Sequence, residues 1–412
     1  MTTPAKVLLI ANNFPPIRGG SAVVYDNLAR YSADRTVVIA PQINYNDGLP
    51  LIGWREHDRT APYRVIRLPL LRTNINVPNA RGWRGKVAFW MSDLLIRMRL
   101  LLLLRKMFKT EAIGAVCIGE LLASGWLIDV LHWISPVRTA IYVHGEEITT
   151  EDPYDADRAR AKRALRKADR IIVVSRFTQN AVLDLLGPEA ASKITLVENG
   201  VSGDRFFPRA KRADLVEQYQ LADRFVFVSV CRLLEKKGID HAIQAFARVA
   251  RRYPECRYLV VGAGPYESRL REIADQEDMT DRVIFAGDVP DEDLAEHYCL
   301  GDVFAMPNRR LPNGDTEGFG LVFLEANACG IPVIAGSDGG SRDAVKDGVN
   351  GLIVDGSSVD RIADAMMKLR EDPTLRETLR TRSLEVAAAA NWRQKAGIFL
   401  KLCTDPNGNP SV

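Results

Sequence analysis

Short runs of β-branched and other apolar residues alternate with longer stretches of helical periodicity in the first half of the chain. The runs lie at residues 7–11, 37–40, 65–68, 115–118, 140–143, 171–174 and 194–197. Strands of a parallel sheet are buried on both faces, so they appear as short apolar runs rather than as a strict alternation of polar and apolar residues. The pattern therefore predicts βαβ units and a doubly wound parallel sheet.

A second series of apolar runs repeats this organisation in the other half of the chain. These runs lie at residues 225–230, 258–261, 283–286, 303–305, 332–335 and 351–354. Two such series predict an α/β fold with two Rossmann-like domains. The length of 412 residues agrees with this prediction, because a single hydrophobic core seldom extends beyond about 250–300 residues. A sizeable cleft can form between two such domains.

The stretch 198–204 is rich in turn-forming residues and separates the two series. We therefore predict a first domain at 1–200 and a second at 201–385. After the last apolar run we expect two helical stretches, the second of which passes through residues 392–402. The remaining segment, 386–412, is assigned to this final helix and to a polar tail that should be frayed.

The overall charge and the cysteine content exclude some classes of protein. The formal net charge of +3 is small for 412 residues, so the chain as a whole lacks the charge of a nucleic-acid-binding protein. The six cysteines form no Cys-x-x-Cys pair and no metal-binding pattern with the five histidines, which predicts reduced and mostly buried thiols. The first apolar run is too short for the apolar region of a signal peptide, and a cytoplasmic location is therefore expected.

Glu317 and Glu325 lie eight positions apart and flank a glycine-rich entrance to a predicted helix. If Phe319 opens this helix, the free backbone N–H groups and the positive end of the helix dipole suit a diphosphate. Glu325 would then lie about 9 Å further along the axis, at ~1.5 Å per residue. The two carboxylates could accept hydrogen bonds from hydroxyl groups at opposite ends of a nucleotide-sugar. The alternative is an ordinary helix that carries two surface acids.

In open α/β sheets ligands collect beyond the carboxyl ends of the strands, and two candidate loops follow strands of the first domain. Gly19 and Gly20 follow the first strand, where a glycine turn that opens a helix lets the backbone approach a phosphate or a sugar closely. A simple turn is the alternative. His144 directly follows the run at 140–143 and precedes Gly145. A single histidine is more often structural, but loop residues on rigid scaffolds frequently carry the chemistry, so His144 is included among the site residues.

Two cations follow the first strand of the second domain. Arg232 offers a planar fork for phosphate oxygens and Lys237 offers a compact charge. The pair could therefore neutralise a departing nucleoside diphosphate without a metal ion. The alternative is a solvated basic loop, and Lys236 is interpreted in that way.

Three further motifs suggest other ligands but have simpler explanations. Gly262 and Gly264 resemble part of a dinucleotide-binding fingerprint, but the third glycine is missing and the motif lies in the second half of the chain. The Asp-x-Asp motifs at 155–157 and 291–293 could each hold a divalent ion. Acidic helix starts, in which an aspartate caps free backbone N–H groups, explain both motifs more simply, so no metal site is predicted.

The segment 81–109 combines basic and aromatic residues in a way that suits an anionic membrane surface. Eight basic residues accompany a single acid, Asp93, together with two tryptophans and five consecutive leucines. No uncharged apolar run approaches the ~20 residues that a membrane-spanning helix needs. The charges are scattered around a helical wheel, so residues 100–104 are expected to form a core helix, and residues 83–99 are the candidate for membrane docking.

Taken together, these residues resemble the glycosyltransferase family 4 of retaining GT-B enzymes, and the resemblance extends over nearly the whole chain. The matching positions are Glu317 and Glu325 of the E-x7-E element, Arg232 and Lys237 of the diphosphate-binding pair, Gly19 and Gly20 of the amino-terminal loop, His144, and the turn 199–201. The block that contains the two glutamates looks closest to bacterial phosphatidylinositol mannoside mannosyltransferases that use GDP-mannose.

This resemblance implies a GT-B fold, in which two Rossmann-like domains face each other across a deep cleft and the last helix crosses back to the first domain. It implies that Glu317 contacts hydroxyls of the donor sugar and that Glu325 contacts the ribose. The backbone amides expected to bind the sugar and the phosphates are those of Phe319, Gly320, Leu321 and Val322. The implied reaction moves a hexose of the mannose or glucose type from a nucleotide diphosphate sugar to an acceptor hydroxyl, with retention of anomeric configuration.

By the same resemblance no metal or other cofactor is expected. Retention in this family is attributed to a front-face substitution in which the leaving phosphate helps to deprotonate the acceptor, so the protein mainly positions groups and stabilises charge. The expected acceptor is a glycan or a lipid-linked molecule of envelope or exopolysaccharide synthesis, and nucleic acid is not an expected partner. The expected place is the cytoplasm, at the inner face of the membrane. A nucleotide-sugar epimerase, a sugar phosphorylase or a nonenzymatic nucleotide-sugar-binding protein is the alternative.

Overall fold

The computed structural model describes residues 5–73, 83–152 and 155–405, and its first domain is built on a seven-stranded parallel sheet. The strands are β1 (Lys6–Ile10), β2 (Thr36–Pro41), β3 (Arg64–Leu68), β4 (Ile113–Ile118), β5 (Arg138–Val143), β6 (Arg170–Val173) and β7 (Ile194–Leu196). Their order in the sheet is β3-β2-β1-β4-β5-β6-β7. Val7 and Leu9 pack into one hydrophobic cluster and Leu8 and Ile10 into another, so helices cover both faces of the sheet.

The helices of the first domain connect these strands. They are α1 (Gly20–Ser32), α2 (Trp54–Thr60), α3 (Trp83–Thr110), α4 (Leu121–Ser124), α5 (Ile128–Ile134), α6 (Glu146–Thr149), α7 (Ala159–Lys167) and α8 (Arg176–Leu186). α3 packs on the domain through Ile96, Leu100, Leu104 and Met107, which are buried at helical spacing. The prediction that residues 100–104 belong to a core helix is therefore confirmed for two of the five leucines, whereas Leu102 is 65% exposed.

The second domain contains a six-stranded parallel sheet. Its strands are β8 (Phe225–Val230), β9 (Cys256–Val261), β10 (Val283–Gly287), β11 (Val303–Met306), β12 (Val333–Gly336) and β13 (Gly351–Val354), in the order β10-β9-β8-β11-β12-β13. The helices that follow the first domain are α9 (Ala213–Gln218), α10 (Ile239–Arg252), α11 (Glu267–Gln276), α12 (Leu294–Cys299), α13 (Leu321–Ala328), α14 (Ser341–Ala344), α15 (Val359–Glu371), α16 (Pro373–Ala389) and α17 (Trp392–Thr404).

Every apolar run singled out in the sequence forms a strand of one of these sheets, with ends that differ by at most two residues. The two Rossmann-like domains are therefore confirmed. The predicted boundary near residue 200 falls between β7 and β8. The expectation of two helical stretches after β13 is wrong, because three helices follow. Asp372 accepts a hydrogen bond from the backbone N–H of Leu375 at 2.9 Å, and Pro373 opens α16, so this pair ends α15 and starts a new helix.

The last helix, α17, returns to the first domain, as the resemblance implies. It packs against α1, β4 and β5, and its Trp392 and Phe399 are buried. The backbone N–H of Val201 donates to the carbonyl oxygen of Ala390 at 2.7 Å, which ties the start of α17 to the turn after β7. Residues 406–412 of the predicted tail lie outside the described residues. All six cysteines are buried and free, as expected.

Candidate active site

Loops at the carboxyl ends of the two sheets touch each other between the domains. A methyl group on Gly318 would lie 2.0 Å from the carbonyl oxygen of His144, so only glycine fits at this contact. A methyl group on Gly20, at the start of α1, would lie 3.8 Å from Cδ1 of Leu321, at the start of α13. The N-termini of α1 and α13 therefore face each other across the cleft. The partial positive charge at each of these two helix N-termini favours the binding of an anion between the domains.

The entrance to α13 is held by a glycine in the left-handed region. Gly320 has φ +87° and forms the N-cap, so the helix begins at Leu321. The prediction that Phe319 opens the helix is therefore wrong by two residues, because a left-handed residue cannot belong to a right-handed helix. The backbone N–H groups of Leu321 and Val322 belong to the first turn and have no partner within the helix. The backbone N–H of Phe319 interacts instead with the carboxylate of Glu317.

Glu317 is paired with Lys237 at this entrance. The Nζ atom of Lys237 donates to Oε2 of Glu317 at 2.5 Å, and both side chains are largely buried. Burial by itself would raise the pKa of Glu317, but the charges of Lys237 and Lys236 outweigh it and lower the pKa below its usual value. Glu317 is therefore an ionised carboxylate beside the N-terminus of α13.

Lys236 does not lie in a solvated loop, and that prediction is wrong. Its side chain is buried and its ammonium group donates to Oδ1 of Asp315 at 2.8 Å, to the carbonyl oxygen of Thr316 at 3.3 Å and to Glu146 of the first domain. A buried ammonium group needs such partners, because an unpaired charge in the interior is costly. Lys236 therefore joins the two domains directly beside the Lys237 pair.

Arg232 has the opposite environment from Lys236. Its side chain is exposed, and within the described residues no hydrogen bond or ion pair holds its guanidinium group. Arg232 lies two residues after the end of β8, at the carboxyl edge of the sheet. The neighbouring Cys231 is close enough to Lys237 and Glu317 for their charges to affect the pKa of its thiol. Methyl groups on Gly262 and Gly264 would lie 2.0 and 2.3 Å from the carbonyl oxygens of Cys231 and Leu233. The two glycines thus let this loop pack closely, which explains the fingerprint-like motif without a dinucleotide.

Glu325 lies in the second turn of α13 and has a different partner from Glu317. The hydroxyl of Tyr298 donates to Oε2 of Glu325 at 2.7 Å. Burial raises the pKa of Glu325, while the hydrogen bond from Tyr298 and the charge of Arg205 act in the opposite direction. The two glutamates of the E-x7-E element therefore occupy separate environments, Glu317 in the loop before α13 and Glu325 within the helix.

His144 ends β5 and takes part in a chain of hydrogen bonds. The Tyr25 hydroxyl donates to the carbonyl oxygen of Gly119, and the Nε2 atom of His144 lies 2.7 Å from the same hydroxyl oxygen. Since the hydroxyl proton is used, Nε2 carries the proton of the imidazole and donates it, which leaves the lone pair on Nδ1. Burial lowers the pKa of His144 to about 4. The ring is therefore neutral near pH 7.

Two glutamates that the sequence did not single out hold the loops of the first domain. Glu120 follows β4 and accepts hydrogen bonds from the backbone N–H groups of Asn12 and Asn13, at 2.6 and 2.8 Å. Glu147 accepts from the backbone N–H groups of His144 and Gly145, at 2.8 and 3.0 Å. Burial raises the pKa of each carboxyl to about 7. The signal available in the sequence was the position of Glu120, the second residue after β4, which lies between β1 and β5 in the sheet.

The glycine loop after β1 leaves space in front of α1. A methyl group on Gly19 would meet no atom within 4 Å, so packing does not require glycine here. Arg18, the preceding residue, reaches the second domain, where it pairs with Asp288 and donates to the carbonyl oxygen of Val289 at 3.2 Å. The structure thus brings the predicted donor-binding glycines to the same cleft as α13.

The two Asp-x-Asp motifs have different outcomes. Asp155 accepts hydrogen bonds from the backbone N–H groups of Arg160 and Ala161 at the start of α7, so its predicted capping role is confirmed. Asp293 precedes α12, but its side chain does not cap that helix and pairs with Arg212 at 2.6 Å instead, so the capping prediction is wrong there. Among the described residues, no group of three or more His, Cys, Asp or Glu side chains is arranged to hold a metal ion.

Comparison with known families identifies both halves of the chain. The model of Glycosyltransferase Family 4 matches residues 18–205, and the model of the group 1 glycosyl transferases matches residues 211–385. Among solved structures, Anabaena HepE in complex with UDP and glucose superposes with a TM-score of 0.74 at 20% identity, over 96% of this chain and 98% of that one. Sucrose-phosphate synthase from Thermosynechococcus elongatus gives a TM-score of 0.74 at 23% identity, over 97% and 98%. These neighbours confirm the two-domain fold.

Curated relatives extend this similarity over almost the whole chain. The GDP-mannose-dependent alpha-(1-6)-phosphatidylinositol monomannoside mannosyltransferase of Mycobacterium tuberculosis is 33% identical over 401 residues, which is 94% of this chain and 95% of that protein. A mannosyltransferase of Corynebacterium glutamicum, which acts on the monoacylated form of that glycolipid, is 27% identical over 92% of each chain. The protein therefore belongs to the glycosyltransferases of family 4 and group 1, and it is a hexosyltransferase.

Proposed function

We propose that this hexosyltransferase moves mannose from GDP-mannose to a phosphate-bearing glycolipid at a membrane surface, with retention of configuration. The observation that carries the proposal is the pairing of Lys237 with Glu317 at the N-terminus of α13, opposite the N-terminus of α1. This place offers a cation and two helix ends to a diphosphate, and a carboxylate to a sugar hydroxyl. The choice of donor and acceptor rests on the mycobacterial relatives, whose names specify both.

The proposed donor lies along the first two turns of α13. Its diphosphate accepts hydrogen bonds from the backbone N–H groups of Leu321 and Val322. The diphosphate also replaces the carboxylate of Glu317 as the partner of the Lys237 ammonium group. Arg232, whose guanidinium group is exposed, supplies a second charge as the nucleoside diphosphate leaves. Glu317 then accepts a hydrogen bond from a sugar hydroxyl, and Glu325 accepts hydrogen bonds from the ribose. Gly19 and Gly20 leave room for the phosphates on the side of the first domain.

The proposed substitution takes place on one face of the sugar. Neither Glu317 nor Glu325 is assigned as a nucleophile, because Glu317 binds a sugar hydroxyl once the donor is bound and Glu325 is held by Tyr298 on the ribose side. In this proposal the leaving phosphate accepts the proton of the acceptor hydroxyl, and Lys237 and Arg232 stabilise its developing charge. His144 is neutral and presents the lone pair of Nδ1, so we assign it a hydrogen bond from a hydroxyl group rather than a role as a cation.

We assign membrane contact to the solvent-facing side of α3, which we call the α3 apolar stripe. Its members are large apolar side chains at helical spacing, Trp83, Val87, Trp90, Met91, Leu94, Leu95, Met98 and Leu102, and all are exposed. The same helix also carries basic residues, so a surface of anionic lipid would complement both its apolar and its charged groups. Arg81, the first basic residue of the predicted segment, lies outside the described residues. No helix in the described part of the chain combines the length and the apolar character needed to cross a membrane.

We further propose that the reaction needs no metal ion and takes place in the cytoplasm. Lys237, Arg232 and the N-terminus of α13 supply the positive charge that a divalent ion would otherwise bring to a diphosphate. Treatment with EDTA should therefore leave the initial rate unchanged. A strict requirement for a divalent ion would contradict this part of the proposal.

Product analysis tests the function directly. The purified protein is incubated with GDP-mannose and phosphatidylinositol monomannoside in vesicles, with UDP-glucose as the alternative donor. Appearance of a mannosylated lipid together with free GDP supports transfer, and the Glu317→Gln variant should form far less of it. Release of an altered sugar or of sugar phosphate without an acceptor would point to an epimerase or a phosphorylase, and donor binding without turnover would point to a nonenzymatic binding protein.

A further inference from the structure

Tyr298 contacts Glu325 of α13 and is buried completely. It belongs to α12, which packs against α13, and its hydroxyl donates to Oε2 of Glu325 at 2.7 Å. The ring is fixed by Phe206, with a centroid distance of 5.8 Å, and by Phe304, also at 5.8 Å. Packing therefore sets the position of the hydroxyl, and the hydroxyl in turn sets the rotamer of Glu325.

The hydrogen bond also determines what Glu325 can offer to a ligand. A tyrosine hydroxyl has one proton, and here it occupies Oε2, so Oε1 keeps its lone pairs for other donors. Burial raises the pKa of Glu325 and so opposes its charge. The bond from Tyr298 and the charge of Arg205, in the segment between the domains, favour the ionised form, whereas Asp291 disfavours it. Cys329, directly after α13, lies near the same tyrosine.

We propose that Tyr298 is a positioning residue for the donor nucleotide: its hydrogen bond to Oε2 orients Glu325 so that the free oxygen Oε1 accepts hydrogen bonds from the ribose hydroxyls. The inference rests on the proposed function, because it takes the ribose as the ligand of Glu325. Tyr298 itself does not touch the donor. Its effect on the reaction passes entirely through the carboxylate.

The test compares Tyr298→Phe with Tyr258→Phe. Tyr258 is buried in the same domain and its hydroxyl lies 2.7 Å from Oγ of Ser229, so the control loses a buried hydroxyl of equal geometry away from α13. Loss of a hydrogen bond to a charged group should raise the KM for the donor about tenfold in Tyr298→Phe, with little change in kcat. Tyr258→Phe should keep the wild-type KM. Calorimetric titration with GDP should show the same difference in Kd without any turnover.

The pH dependence separates positioning from a general loss of stability. Without the hydroxyl of Tyr298 the pKa of Glu325 rises further, so the increase in KM on acidification should begin at a higher pH than in wild type. A donor that carries 2′-deoxyribose should bind wild type more weakly, and Tyr298→Phe should weaken it by a smaller factor than it weakens the normal donor.

Unchanged KM, Kd and pH profile in Tyr298→Phe, with an active wild type, would overturn this inference and leave the proposed function intact. A wild-type protein that neither binds GDP nor transfers a hexose would overturn both.

Discussion

The ammonium group of Lys237 lies 2.5 Å from Oε2 of Glu317, so the two charges neutralise each other. The first comes from the loop after β8 and the second from the entrance to α13. A diphosphate that binds between the helix N-termini has to replace the carboxylate as the partner of Lys237. Donor binding then frees Glu317 for a sugar hydroxyl, so the pair links recognition of the phosphate to recognition of the sugar.

The first prediction concerns this pair. Lys237→Ala should lower kcat by about 10²–10³-fold, because a charge aimed at the leaving group is lost. Glu317→Gln should lower it comparably, and the double variant should lose less than the product of the two effects, since each residue acts partly through the other. Initial rates with saturating donor measure this cycle.

The control for the Lys237 variant is Lys211→Ala. Lys211 pairs with Asp302 at 3.1 Å in the same domain but at a partly exposed position outside the site. It should keep the wild-type rate. Full activity of Lys237→Ala would show that the ammonium group does not serve the leaving group.

The second prediction concerns the buried ammonium group of Lys236. Lys236→Met leaves Asp315 and Glu146 facing each other between the domains. Because Glu146 keeps access to water, we expect a loss of about 1–3 kcal/mol rather than the full cost of breaking a buried pair. The melting temperature should fall by about 2–10 °C. Adding Asp315→Asn should recover part of the loss, and an unchanged melting temperature in Lys236→Met would contradict the interdomain role.

Residues such as Lys236 show where the sequence stops being informative. The strands could be predicted because a strand that is buried on both faces has to be apolar, and this shows directly in the sequence. Several site residues could be predicted because ligands bind beyond the carboxyl ends of such strands. The burial of Lys236 depends on Glu146 and Asp315, which are distant in the sequence, and no local pattern records that contact. The start of α13 was missed because it depends on the left-handed conformation of Gly320. The sequence therefore showed which residue types follow each strand, but it did not show contacts between residues that are distant along the chain.

The third prediction concerns the α3 apolar stripe. The double variant Trp83→Ser, Trp90→Ser removes two exposed indoles, so it should lose most of its flotation with anionic liposomes, and wild-type flotation should weaken as salt increases. Trp133→Ser is the matched control, because Trp133 is 82% exposed in the same domain but lies on α5. Wild-type protein that stays unbound, or a double variant that floats equally well, would remove the membrane role from α3.

The fourth prediction concerns His57, which lies between two carboxylates in the first domain. Its ring nitrogens lie 3.2 Å from Asp26 and 3.1 Å from Asp58, and Arg67 binds Asp58 from the other side. Burial lowers the pKa of His57, but the two hydrogen bonds outweigh it and raise the pKa above its usual value of 6.5.

A raised pKa in the folded state means that protonated His57 stabilises the protein fully below the pKa of the unfolded chain. This contribution is lost as the pH rises through the folded value. The free energy of unfolding of wild type should therefore exceed that of His57→Gln most at about pH 5.5, and the difference should shrink toward pH 8.5. Urea titrations across this range measure it. A difference that does not change with pH would contradict the protonated state.

The most direct test of the central claim follows the anomeric carbon through the reaction. GDP-mannose labelled with ¹³C at C1 is mixed with the protein, the acceptor lipid and EDTA, and the product is examined by NMR. The account predicts an α-mannoside together with free GDP in wild type, and only a trace of both in Lys237→Ala. A β-mannoside, or transfer that stops when metal ions are removed, would contradict the site and the mechanism assigned to the cleft between α1 and α13.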